Sequence, residues 1–164
     1  MATATYIPIA TQTLGSAAAS ITFSSIPGTY TDLRLVVTCT TSAGDTVALQ
    51  FNSDTGNNYS NTELRGQGTT AISGNEVTNN WIDFNSSTAT STTVPQLTII
   101  EIFSYAGSTN KALLGSEASD LNGSGTVQVT TGLWRNTSAI TSIKLLLESS
   151  SNFSTGTIAT LWGI

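Results

Sequence analysis

Apolar residues in this chain recur at every second position, and that rhythm limits the fold more than any other feature. In DLRLVVTC (32–39), Leu33, Leu35, Val37 and Cys39 share one face of an extended backbone. In TVALQFN (46–52), Val47, Leu49 and Phe51 do the same, opposite Ala48, Gln50 and Asn52. In GTVQVTTGLW (125–134), Val127, Val129 and Leu133 alternate with Thr126, Gln128 and Thr130. Ile143, Leu145 and Leu147 alternate with Lys144 and Glu148, and near the C-terminus Ile158, Trp162 and Ile164 share a face, which places Trp162 in the core. Weaker strands fit SITFS (20–24), NNWIDF (79–84) and KALLGSEA (111–118). Turn signals separate these runs: IPGTY, SAGD, SDTGNN, ISGN (72–75), YAGSTN, NGSG and SNFSTG. Seven or more strands at roughly ten-residue spacing predict an antiparallel all-β sandwich or barrel, with no segment of helical period.

The polar residues agree. Thr, Ser and Asn make up 64 of the 164 residues (30, 22 and 12), while only 15 are charged. Threonine suits a pleated surface, and serine and asparagine suit turns. Regularly spaced Ile, Val, Leu and aromatic residues exclude a disordered chain. A net charge of −5 argues against nucleic acid and against an anionic membrane surface as partners. No apolar run nears the ~18 residues of a membrane span, and MATATYIPIATQTL lacks the basic start of a signal peptide. Cys39 is the one cysteine and reads as a buried thiol. The Asn-x-Ser sequons at Asn58, Asn85, Asn122, Asn136 and Asn152 follow from composition.

Little in the chain reads as chemistry. Without histidine there is no Ser-His-Asp or Cys-His catalysis, and one cysteine cannot build a zinc site. Neither a phosphate loop nor a nucleophile elbow is present. Asp83, Glu101 and Glu148 are the carboxylates from which a glycosidase pair would have to come. The stretch FNSDTGNNYS (51–60) partly imitates a calcium loop. Counting from Asn52, however, its glycine falls at position five instead of six, and its flanks read as strands. The expectation is a turn whose Asn and Asp side chains bond local backbone, with Tyr59 as an exposed rim contact. No catalytic residue, metal or cofactor is expected.

One strand stands apart. In VPQLTIIEIFSY (94–105), Leu97, Ile99, Phe103 and Tyr105 lie on one face and Ile100 and Ile102 on the other. Two apolar faces require a cover on both sides, from a loop of the same chain or from a neighbouring subunit. Residues 1–14, with Tyr6, Ile7 and Ile9 around Pro8, fit either an extended arm or a first strand at a sheet edge, ahead of one domain over 15–164.

Three stretches carry a family resemblance: SITFSSIPGTYTDLRLVV (20–37), LQFNSDTGNNYSNTELRG (49–66) and GLWRNTSAITSIKLLLESSSNFSTGTIATLWGI (132–164). Together with YIPIATQTLGSAAASITF (6–23), they resemble small structural proteins of tailed bacteriophages, including phages of cyanobacteria. The resemblance implies a jelly-roll β-sandwich in the virion and no enzymatic activity. Its role would be either capsid decoration, bridging and cementing major capsid protein subunits, or a tail-fibre module that recognises host-surface glycans. A single domain without heptads or repeats favours cement on the capsid surface, made in the host bacterial cytoplasm. A homotrimer is favoured and a dimer is the other arrangement. Expected subunit contacts are Tyr6, Ile7, Ile9, Tyr59, Ile100 and Ile102. For the glycan role, Tyr59, Trp81, Trp134 and Trp162 are the aromatic candidates.

Overall fold

The computed structural model describes residues 5–84 and 91–164, so residues 1–4 of the N-terminal segment and the Asn85 sequon lie outside the described residues. Twelve strands form among them: β1 (Ile7–Thr13), β2 (Ser20–Phe23), β3 (Leu33–Cys39), β4 (Val47–Phe51), β5 (Tyr59–Gln67), β6 (Thr70–Asn79), β7 (Ile82–Phe84), β8 (Gln96–Phe103), β9 (Lys111–Ser119), β10 (Thr126–Trp134), β11 (Ile143–Leu147) and β12 (Ile158–Gly163). They pair antiparallel in two sheets. The larger runs β1-β12-β3-β8-β9-β10-β5-β6 and the smaller β2-β11-β4-β7. Among the described residues no helix is long and apolar enough to cross a membrane.

The pairings β1–β12, β2–β11, β3–β8 and β4–β7 are nested, as in one long hairpin folded over on itself. That is jelly-roll topology, and the fold is an antiparallel β-sandwich. The hairpin β5–β6 and the pair β9–β10 are insertions, and both extend the larger sheet alone, in the order β9-β10-β5-β6. The larger sheet therefore outreaches the smaller one. Residues 7–13 are the edge strand β1.

Between the sheets, Leu33, Leu35 and Val37 of β3, Ile100 and Ile102 of β8 and Leu161 of β12 pack in one core cluster with Ile21 and Phe23 of β2, Leu49 and Phe51 of β4 and Ile143 and Leu145 of β11. Each such side chain contributes ~1.5–3 kcal/mol by leaving water. β7 closes the smaller sheet by sinking into two notches of the larger. A Cβ at Gly115 would stand 2.3 Å from the Phe84 ring, and one at Gly132 would stand 2.9 Å from Ile82. A side chain at Gly115 would displace the Phe84 ring, and one at Gly132 would push Ile82 and Leu113 aside.

Three expectations are corrected. ISGN (72–75) is the middle of β6; the turn lies at Gly68-Thr69, where Gly68 adopts φ +53°. Its apolar rhythm was invisible because β6 is an edge strand with neither face buried. On β12 the inward residues are Ala159 and Leu161, and Trp162 points out of the sandwich. On β8 the residues Ile100 and Ile102 face the core, so the uncovered side belongs to Leu97, Ile99 and Phe103. Tyr105 leaves that face altogether, buried past the strand end with its hydroxyl on the Pro27 carbonyl.

Candidate docking face

The outer surface of the larger sheet is built from side chains that the registers align in rows. One row reads Pro8, Trp162, Arg34, Glu101, Leu114, Thr131, Thr62, Asn75. The next reads Thr11, Thr160, Val36, Ile99, Ser116, Val129, Leu64, Ser73. A third runs Thr13, Ile158, Thr38, Leu97, Ala118, Val127, Gly66, Ala71. Across these rows the charged residues are Arg34 and Glu101, and they pair with each other at 3.0 Å. The remainder is Thr, Ser, Asn75, Gly66 and apolar residues that are exposed or half-buried.

The half of this face beyond β8 inverts the usual pattern. β10 buries Thr126, Gln128 and Thr130 and exposes Val127 (66%) and Val129 (47%). Beside it, β5 buries Asn61, Glu63 and Arg65 while Leu64 stands 64% exposed. A solitary exposed leucine means little, but apolar residues outside and polar residues inside on the same strands is informative. On β10 the alternation was legible in the sequence but its direction was not, because period two does not say which face looks inward; β5, with few apolar residues, was not read as a strand.

The buried polar side is a network. Glu63 pairs with Arg65 at 3.0 Å and accepts from Gln128 Nε2 at 2.8 Å. Gln128 also donates to Thr130, Glu117 meets Thr98 at 3.5 Å, and Asn61 donates to Asp83. Burial, then repulsion from Glu76, Glu148 and Glu63, pushes Asp83 up to about 7 despite a backbone hydrogen bond. Burial first, then Asp83 and Glu63, raises Glu117 well above its ordinary value. Native carboxyls raised in this way hold protons that the unfolded chain releases from about pH 4. For Asp83 that stabilisation is complete below that pH and is lost as pH rises through about 7. From pH 5.5 to 8.5 the unfolding free energy should fall by about 2 kcal/mol through Asp83 alone. Urea titrations across that range check this, and Asp83→Asn should flatten the slope by that amount. A stability that is level or rising across the range would contradict the assignment. Burial, followed by the charge on Glu117, also pushes the Cys39 thiol up to about 12, so it stays an inert thiol in the core.

At the far end of the outer face, Arg34 Nη1 donates to Tyr6 Oη at 3.1 Å and its guanidinium lies 5.5 Å from the Tyr6 ring centre. Tyr6, Arg34 and Trp162 line a shallow hollow of about 470 Å³.

The expected contact residues divide. Tyr6 and Ile7 are exposed beside this hollow and along the β1 edge, while Ile9 packs against the core cluster. Ile100, Ile102 and Tyr59 are fully buried, so none of them can touch a partner. Tyr59 is held by its hydroxyl, which accepts from the Phe51 N–H at 3.0 Å and reaches the Asp54 carbonyl at 3.1 Å. Trp134 is core, stacked on Tyr59 with ring centres 6.3 Å apart, and Trp81 is half-buried. Glu101 sits on the outer face with Arg34 and Asp83 sits in the interior, so no reacting pair forms between them.

The loop 51–60 is a structural clasp. Asp54 Oδ1 accepts from the Gly56 N–H at 2.9 Å, and Oδ2 accepts from Trp134 Nε1 at 2.8 Å and Asn58 Nδ2 at 3.0 Å. Burial works to raise this carboxyl, but donation from Trp134, Gly56 and Asn58 outweighs it and holds Asp54 below the usual carboxylate range. Asn52, at φ +51°, accepts from the Thr141 and Ser142 N–H groups and donates to the Ala139 carbonyl. Both Asp54 oxygens are taken by protein donors, and among the described residues no group of three ligand-type side chains could hold a metal.

No protein-family model matches the chain, and no curated protein does. Among solved structures, the crystal structure of Caenorhabditis elegans galectin LEC-6 is similar to it at 11% identity, covering 91% of this chain and 94% of that chain, with a TM-score of 0.37.

Proposed function

We propose that this chain is a non-enzymatic assembly protein of a phage virion, acting as capsid cement through the outer face of its larger sheet. The observation that carries the docking role is the inverted pattern of β5 and β10, which bury polar side chains and leave Leu64, Val127 and Val129 in water. A contiguous apolar surface of that kind marks an interaction site. The virion setting rests on the family resemblance of the sequence. Bridging would be mechanical. Each copy buries apolar area on the major capsid protein at ~25 cal/mol per Å², less the cost of association, and symmetric repetition makes modest contacts cumulative. On a shell with local three-fold axes a homotrimer is the favoured arrangement and a dimer the other.

The test is co-sedimentation with undecorated capsids. The protein should pellet in a fixed ratio and raise the capsid's heat resistance. A Leu64→Glu, Val129→Lys variant should stay in the supernatant with its own melting close to wild type, since both side chains already face water and the two new charges, directly opposite across β5 and β10, are of opposite sign. If the wild type remains in the supernatant but binds host cells or a glycan array, the cement reading falls. The second reading would then stand, a tail module that recognises host-surface glycans. The hollow of Tyr6, Arg34 and Trp162 favours it, offering aromatic faces beside a guanidinium–carboxylate pair.

A further inference from the structure

We infer that two copies of this chain join edge to edge through β6, making one continuous antiparallel sheet across a two-fold axis at Ser73. A sheet edge is a template for another strand, and proteins blunt such edges by shortness, proline, bulges or charge. Three of the four edges here are blunted. β2 and β7, which flank the smaller sheet, have 4 and 3 residues. β1 carries Pro8 and a register break between Pro8 and Ala10. β6 has 10 residues, no proline and no lysine or arginine, and its one charged residue is Glu76. Its register against β5 runs unbroken from Thr70 to Glu76 and shifts only beyond that, between Glu76 and Asn79, so a flat stretch of seven residues is left.

Parity identifies the open backbone groups. The Arg135 N–H donates to the Asn58 carbonyl, so even-numbered residues of β5 bond toward β10 and odd-numbered ones toward β6. The odd residues Asn61, Glu63, Arg65 and Gln67 pair with Glu76, Gly74, Ile72 and Thr70. The Glu76 N–H indeed faces β5, where it donates to Asn61 Oδ1 at 3.2 Å. Ala71, Ser73 and Asn75 therefore turn their N–H and C=O groups away from the sheet. A second β6, antiparallel about Ser73, sets Ser73 against its own copy and Ala71 against Asn75 in both directions, since 71 + 75 = 2 × 73. Every outward group then gains a partner. Glu76 faces Thr70 (76 + 70 = 2 × 73), so the two carboxylates stay apart. Pairing of β6 with β1 of another copy would grow a filament, and Pro8 with its bulge opposes that.

The seven paired residues form a strip well short of the ~800 Å² per partner of a standard stable interface. The free protein therefore dimerises weakly, and pairing fills where copies are concentrated. The contact is two-fold, unlike the trimer favoured for a capsid role, and it is tested on purified protein without capsids.

Ser73→Cys should cross-link to a covalent dimer on mild oxidation, because facing residues in such a pair have Cα atoms ~5.5 Å apart, within disulfide range. Asn75→Cys should not, because its two copies stand about four residues, ~13 Å, apart along the strand. Native Cys39 is buried and does not compete. Amide exchange at Ala71, Ser73 and Asn75 should slow between about 10 µM and about 1 mM protein. Ser73→Pro, which removes an outward N–H and no bond to β5, should abolish that slowing. Equal or absent cross-linking of the two cysteine variants, with exchange independent of concentration, would overturn the inference. So would protection that appears only on adding capsids, which would give the edge to a foreign strand.

Discussion

Trp134→Ala is expected to lower the unfolding free energy by about 4 kcal/mol, among the largest losses available to a single substitution here. The indole is fully buried, 5.4 Å from the Phe51 ring and 6.3 Å from the Tyr59 ring, so its removal opens a cavity at one end of the core. It also takes from Asp54 the Nε1 donor that ties the 51–60 loop to β10. The two parts separate by comparison with Trp134→Phe, which keeps a ring and loses the charged hydrogen bond, a loss of about 1.5–3 kcal/mol. Urea unfolding of the three proteins checks this. An alanine variant within about 1 kcal/mol of wild type would mean that the loop is not anchored through the indole.

Gly115→Val should cost about 3 kcal/mol for a different reason. The new Cβ would lie 2.3 Å from Phe84, a fully buried side chain at the edge of the smaller sheet. β7 must then lift, and with it the cover over β9 and β10. Because the conflict is with one ring, Phe84→Ala should suppress it. The double variant should be more stable than the sum of the two single losses implies, in a cycle measured by urea unfolding. Strict additivity would show that Gly115 serves some purpose other than seating Phe84.

The sequence showed the class of fold because period two was repeated in many separate segments, and it showed the clasp at 51–60 because asparagine and aspartate around a glycine have few other uses. β6 was hidden by its position, since a strand open to water on both faces needs no alternation. Trp162, Ile100 and Ile102 were assigned to the wrong side, and the direction of β10 was left open, for a related reason. A strand that is apolar on both faces, or polar on its buried face, removes the cue by which inside is told from outside. The docking face thus became visible only once the registers set Leu64, Val129, Ser116 and Ile99 in one row.

The nested pairing also governs the order of events in folding. Ile7 lies against Gly163, and β12 is inserted between β1 and β3, so the first strand has no neighbour until the last one arrives. Contacts this distant along the chain carry a large loop-closure entropy, which places folding in the slow, millisecond-to-second regime of non-local β proteins. A ribosome that has released everything up to residue 157 still holds a chain whose larger sheet is split between β1 and β3. Closure is a late event, and until it happens both strands expose the edges that β12 will occupy.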